Sequence, residues 1–96
     1  MAEVARALHK FDYYVDYVEN RLAELEEMSQ SWDSQSAEDR GDFLLEWPVV
    51  EEMIAAFQRF LETYRLAPGE QKRYQQVVER IAQGRAIVDD LWKRSE

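Results

Sequence analysis

The sequence predicts an all-α protein, an up-down-up bundle of three main helices. Two observations carry that expectation. Apolar residues recur in alternating steps of three and four along three separate stretches, the period of a helix face rather than of a strand. The stretches are separated by two short breaks rich in serine, glycine or proline, and no alternating strand pattern, internal repeat or low-complexity tract competes with them. With 96 residues there is room for one domain around one core.

The first seam runs Val4, Leu8, Phe11, Val15, Val18, Leu22, Leu25, Ser29 and Trp32, which predicts a helix over about residues 3–32. "SWDSQSAEDRGD" then interrupts the pattern. Ser36 followed three residues later by Asp39 has the outline of a capping box, so a loop over 33–36 and a second helix from about residue 37 are expected.

The second seam reads Phe43, Trp47, Val50, Ile54, Phe57, Leu61 and Tyr64, giving a helix to about residue 65. It passes through Pro48. An internal proline removes a backbone donor and crowds the preceding turn, so this helix is expected to be kinked or broken at 47–48. Glu51 and Glu52 would make a favourable acidic first turn for a segment starting at Pro48, which leans toward a break.

"RLAPGEQ" is a turn, and Pro68 is placed to open a third helix over about 68–94. Its seam is Tyr74, Val77, Ile81, Gly84, Val88 and Leu91, flanked by Val78 and Trp92. A glycine inside a helix costs about 1 kcal/mol against alanine, so Gly84 on the seam points to close approach by a neighbouring helix.

Composition narrows the function classes. The chain has 20 acidic and 12 basic residues, a formal net charge of −8, and 46% hydrophobic content. Its field repels phosphate backbones and anionic lipid, so neither a nucleic acid nor a membrane is an expected partner. Residues 1–35 carry eight acids and three bases, residues 36–66 seven and three, and residues 67–96 five and six. The acidic excess therefore lies on the first two helices, and the nearly neutral third is placed to pack against them. There is no cysteine, hence no disulfide, thiolate metal site or cysteine nucleophile. The start "MAEVARALHK" lacks the apolar run of a signal peptide, and the longest apolar run, "MIAAF", is far short of a membrane span of about 20 residues. A cytoplasmic location is the resulting expectation.

No motif spells out a chemistry. The single histidine, His9, falls nearly opposite the first seam with no partner to make it a general base. The seams are apolar apart from Ser29, Gly84 and tyrosine hydroxyls, so no inward ligand set, and no cofactor, is expected. The helical nucleotide pyrophosphohydrolases bind magnesium through Glu-Glu-x-x-Glu and a later Glu-x-x-Asp. Here residues 26–30 read Glu-Glu-Met-Ser-Gln and residues 51–55 Glu-Glu-Met-Ile-Ala, so neither run carries that ligand spacing. Small helical hairpins exported by type VII secretion carry Trp-x-Gly between two helices. Trp32-Asp33-Ser34 stands in a similar place without the glycine, and a further helix follows Pro68. No family is assigned from these residues.

What remains is interaction. Tyr14 lies at the edge of the first seam, whereas Tyr13 and Tyr17 fall outside it, stacked four residues apart on one outer face. Paired exposed aromatics are suited to an interface. The segment "FLLEWPVV" is apolar nearly all round: Leu45 and Val49 point away from the seam, and Met53 and Phe60 widen it. A helix apolar on every side needs cover on every side, so a homodimer or higher oligomer completing a larger bundle is expected.

The expected function is a noncatalytic, acidic helical interaction module that self-associates and binds a protein with a basic surface, using Tyr13, Tyr17, Leu45, Val49, Met53 and Phe60. Two alternatives stand beside it. One is a divalent-metal-dependent, nucleotide-hydrolase-like enzyme whose surface carboxylates, for example Glu24 and Glu27 with Glu51, Glu52 or Asp89, Asp90, converge only in an oligomer. The other is an inhibitor or immunity-type protein covering a basic site.

Overall fold

A computed structural model describes residues 2–95, with side chains from Lys10 to Ser95. The seam positions Val4 and Leu8, and His9, lie outside the described side chains. Helix α1 spans Ala2–Gln30, a short 3-10 turn covers Trp32–Ser34, α2 spans Ala37–Glu62 and α3 spans Pro68–Arg94. The molecule is a rod of 50 × 21 × 18 Å. A helix of 29 residues is about 44 Å long at 1.5 Å per residue, so each helix runs most of the rod and the connections sit at its ends.

The first connection forms because serines compete with the helix for backbone groups. The expected helix to residue 32 stops at Gln30. Ser31 Oγ donates to the Glu27 carbonyl at 3.2 Å, Ser34 Oγ to the Ser31 carbonyl at 2.7 Å, and Gln35 Nε2 to Ser31 Oγ at 3.0 Å. That turn lowers Trp32 into the core, where it is 1% exposed. Ser36, in extended conformation, accepts from the Asp39 amide at 3.0 Å and starts α2 as its cap. Arg40 then locks the turn from above. Its Nε donates to the Trp32 carbonyl at 2.8 Å, its Nη2 to the Asp33 carbonyl at 2.9 Å, and its guanidinium lies 5.7 Å from the Trp32 ring centroid.

Pro48 lies inside α2, which continues through it as one element; no separate helix starts there. The proline is exposed, so its ring faces water rather than the core. A break at a proline comes instead at Pro68. Helix α2 ends at Glu62, earlier than the expected 65, because the Thr63 and Tyr64 amides turn back to the Phe60 and Leu61 carbonyls. Pro68 opens α3, and Glu70 fixes the entry: its Oε1 accepts from the Ala67 amide at 2.9 Å and its Oε2 from the Tyr64 hydroxyl at 2.8 Å.

The three seams meet in one core. From α1 it takes Phe11, Val15, Val18, Leu22 and Leu25; from α2, Trp47, Val50, Ile54 and Phe57; from α3, Val77, Ile81, Val88 and Leu91. At one end an aromatic layer forms as Tyr14 stacks on Phe57 at 5.4 Å and Phe60 stacks on Tyr64 at 4.9 Å. Two α2 neighbours exchange roles relative to the seam: Leu44 is fully buried and Phe43 half-buried. The flanks of α3 are also more open than expected, since Val78 and Trp92 are both exposed.

Helix α1 is the hub, with its backbone close to both α2 and α3, while α2 and α3 approach each other least. The close approach expected at Gly84 is present. A Cβ there would lie 2.5 Å from Leu22 Cδ2 and 3.3 Å from Leu25 Cδ2, both on α1. At Gly41, inside α2, an added Cβ meets nothing within 4 Å. Gly41→Ala is therefore expected to stabilise the protein by about 0.5–1 kcal/mol through helix propensity alone, read as a raised urea midpoint at unchanged slope.

The arginines of α3 meet the acids of α1 and α2. Arg73 reaches Asp12 at 3.3 Å, Asp16 at 3.1 Å and Glu19 at 3.9 Å; Arg80 reaches Glu26 at 3.4 Å; Arg94 reaches Asp33 at 2.8 Å. Asp12, Glu19, Glu26 and Asp33 are spaced by sevens, and Arg73, Arg80 and Arg94 by multiples of seven, so these are flanking charges of a coiled-coil-like pair. Exposed pairs of this kind contribute about 0–1 kcal/mol each; they fix the register of α3 on α1 more than they hold it there.

Glu51 is held more tightly. Arg85 grips it with two bonds, Nε to Oε1 at 3.0 Å and Nη2 to Oε2 at 2.8 Å, and Trp47 Nε1 donates to Oε1 at 3.1 Å. The Arg85 hydrogen bond holds the Glu51 carboxyl below the usual carboxylate range, against an opposing push from partial burial. A carboxyl lowered in the folded state adds stability above its unfolded pKa and loses it as pH falls through the folded value. Glu51→Gln is thus expected to be less stable than the parent at pH 7, with the gap closing on acidification below about pH 4, as thermal melts at pH 7 and pH 3 would measure.

Candidate functional site

The described surface carries five exposed large apolar side chains: Tyr13 at 59%, Leu45 at 72%, Val49 at 55%, Val78 at 43% and Trp92 at 47%. Leu45 and Val49 lie one turn apart on the outer face of α2, as expected, with Pro48 exposed between them. Met53 and Phe60 are half-buried, and Phe60 packs against the core. Phe60 is committed inward, with its ring 5.6 Å from Tyr14 and 4.9 Å from Tyr64.

Tyr17 corrects the expectation of a matched pair of free tyrosines. Tyr13 is exposed, in edge contact with Tyr14 at 5.8 Å. Tyr17 is half-buried against the core, with the Arg21 guanidinium 5.6 Å from its ring centroid. The reason is the position of α2, which packs on the Tyr17 side of the α1 seam and covers a residue that seam geometry alone leaves outside. Tyr13→Ala is accordingly expected to change stability by less than about 0.5 kcal/mol. Tyr17→Ala, which removes packed ring area, is expected to cost about 1–3 kcal/mol, and paired urea titrations would separate the two.

Two concave regions accompany these residues. The first is a groove between α1 and α2, about 160 Å³, where Tyr17, Arg21 and Glu24 face Phe43, Glu46 and Trp47. A second hollow of about 260 Å³ shares Glu24 and Phe43 and continues past Glu27 and Met28. The other region lies between the start of α2 and the end of α3, about 400 Å³, bounded by Gly41, Leu44, Leu45, Trp92 and Arg94. The sequence reading placed Trp92 only as a flank of a seam. No periodic signal marks it, because its cavity is formed between two helices rather than along one.

Among the described residues no group of three or more histidine or acidic side chains is placed to hold a metal ion. Glu24 is paired with Arg21 at 2.8 Å and Glu51 with Arg85. No helix among the described residues is long and apolar enough to cross a membrane. The chain is thus a small all-helical domain without cysteine and without a described metal cluster. Compared with known proteins, it matches no family model, no curated protein and no solved structure.

Proposed function

We propose that this protein is a noncatalytic helical interaction module that self-associates and also binds a protein with a basic surface. The observation that carries the reading is the exposure of Leu45, Val49 and Trp92, which the three-helix rod leaves uncovered at 72%, 55% and 47%. Leu45 and Trp92 border one cavity, so a second copy entering it would bury both at once. The hydrophobic effect then favours a homodimer or higher, completing the bundle from outside. The residual acidic charge of α1 and α2 steers a basic protein toward the assembly.

Light scattering coupled to size exclusion tests self-association. A dimer or larger species is expected at micromolar concentration, and Leu45→Glu with Trp92→Glu is expected to give a monomer of unchanged helicity. A parent chain that is already monomeric at that concentration would remove the self-association half of the proposal. The metal-dependent alternative needs carboxylates from two copies, and Glu51 would first have to leave Arg85. Calorimetric titration with magnesium, manganese and calcium addresses it: stoichiometric binding abolished by Glu52→Gln would favour the enzyme over the module.

A further inference from the structure

The groove between α1 and α2 has an aromatic wall on each side and an acidic rim. Tyr17 and Phe43 are half-buried with part of each ring open, and Trp47 closes the floor. Glu24 and Glu46 stand exposed at its edge, and Glu27 continues the rim where the groove runs on past Phe43. Across both hollows three carboxylates stand against one cation, Arg21. Aromatic faces attract cations through their quadrupole, and carboxylates beside them add charge and hydrogen-bond acceptance.

Arg21 shows that such a cation fits. Its guanidinium sits 5.6 Å from the Tyr17 centroid while its Nη2 reaches Glu24 Oε1 at 2.8 Å. The fit is incomplete, since the shielded Arg21 Nε has no acceptor in the protein. A guanidinium held over a ring with a buried donor unpaired is replaceable by a cation that enters at a better angle.

We infer that the α1/α2 groove is the docking site for a basic segment of a partner protein, which lays a lysine or arginine side chain across Tyr17 toward Glu24 and Glu46 in place of Arg21. This rests on the partner-binding half of the proposed function and gives that partner its chemistry. Leu45 and Trp92 border the other cavity, so the self-association variants leave this groove intact, although Val49 lines its edge. Arg21 acts as an internal placeholder that keeps the groove filled until the partner's cation arrives.

The test is a nuclear magnetic resonance titration of the full chain with Nα-acetyl-arginine amide, and with the citrulline amide as a neutral probe of the same shape. Saturable shifts confined to Tyr17, Phe43, Glu46 and Trp47 are expected for the arginine probe and not for the citrulline one. Arg21→Ala is expected to bind about fivefold tighter, the effect of removing one competing cation–π contact. Arg65→Ala, in the α2–α3 connection, changes net charge equally and is expected to leave the affinity as it was. Glu24→Gln with Glu46→Gln, both exposed and compatible with folding, is expected to bind at least fivefold more weakly. Shifts scattered over the acidic surface, equal response to citrulline, or no tightening in Arg21→Ala would overturn the inference. Any of these would leave the oligomer result untouched.

Discussion

Trp32→Ala is expected to lower the stability of this protein by about 3–5 kcal/mol, the loss characteristic of a large buried aromatic. A domain of this length holds about 5–14 kcal/mol in total at 0.05–0.15 kcal/mol per residue, so the change removes about a fifth of it or more. Trp32 is 1% exposed, in edge contact with Phe43 at 6.4 Å, and its carbonyl accepts from Arg40. Truncation would open a cavity where the first connection seals the core, and the Arg40 guanidinium would lose the ring beneath it. A fall in melting temperature of about 12–40 °C is the corresponding readout at 4–8 °C per kcal/mol. Trp32→Phe is a control with a sharp expectation. The indole Nε1 has no protein acceptor, so phenylalanine gives up volume but no hydrogen bond and is expected to cost less than half as much. Equal losses from alanine and phenylalanine would show that ring volume is not what holds the turn.

Gly84→Leu is expected to be comparably severe, about 3 kcal/mol or more, because a bulky side chain there collides with Leu22 and Leu25 of α1. Even Gly84→Ala places its Cβ 2.5 Å from Leu22 Cδ2. Leu22 is 1% exposed, so its side chain has to repack within the core to admit the methyl. The gain of about 1 kcal/mol in helix propensity is offset by overpacking of about 1–3 kcal/mol, so a net loss of about 1 kcal/mol is expected. The opposite sign from Gly41→Ala makes the pair informative, since both add one methyl to a helix interior. A coupling measurement gives the direct proof. In Leu22→Ala with Gly84→Ala the overlap disappears, so the double variant should be less damaged than the sum of the two single ones. Strict additivity would place the steric contact elsewhere.

Much of the architecture was legible because it depends on local period and local chemistry. The seams through Phe11 to Leu25, Trp47 to Phe57 and Val77 to Leu91 are core because a helix repeats every 3.6 residues whatever it packs against. Ser36 and Pro68 open helices for reasons contained within one turn. Gly84 was readable as a contact because a glycine mid-seam has a cost that only a neighbour explains. The candidate interface was only partly legible. Leu45 and Val49 point away from the seam, and α1 and α3 leave them exposed. Tyr17 and Trp92 lie on flanks, where a tilt of the neighbouring helix decides between cover and exposure.

Charge follows the same division. The sequence by itself determined a net charge of −8 and its concentration on the first two helices, because those are sums over residues. Only the tertiary structure decided which acids stay available, as Arg73, Arg80 and Arg94 engage the α1 side and Arg85 pairs with Glu51. The helix period fixes the direction of every side chain relative to its own axis. It does not fix the distance or tilt of the next axis. Seams and caps therefore belong to the sequence, whereas the groove holding Arg21, the cavity beside Trp92 and the fate of each flank residue follow from how three helices settle against one another.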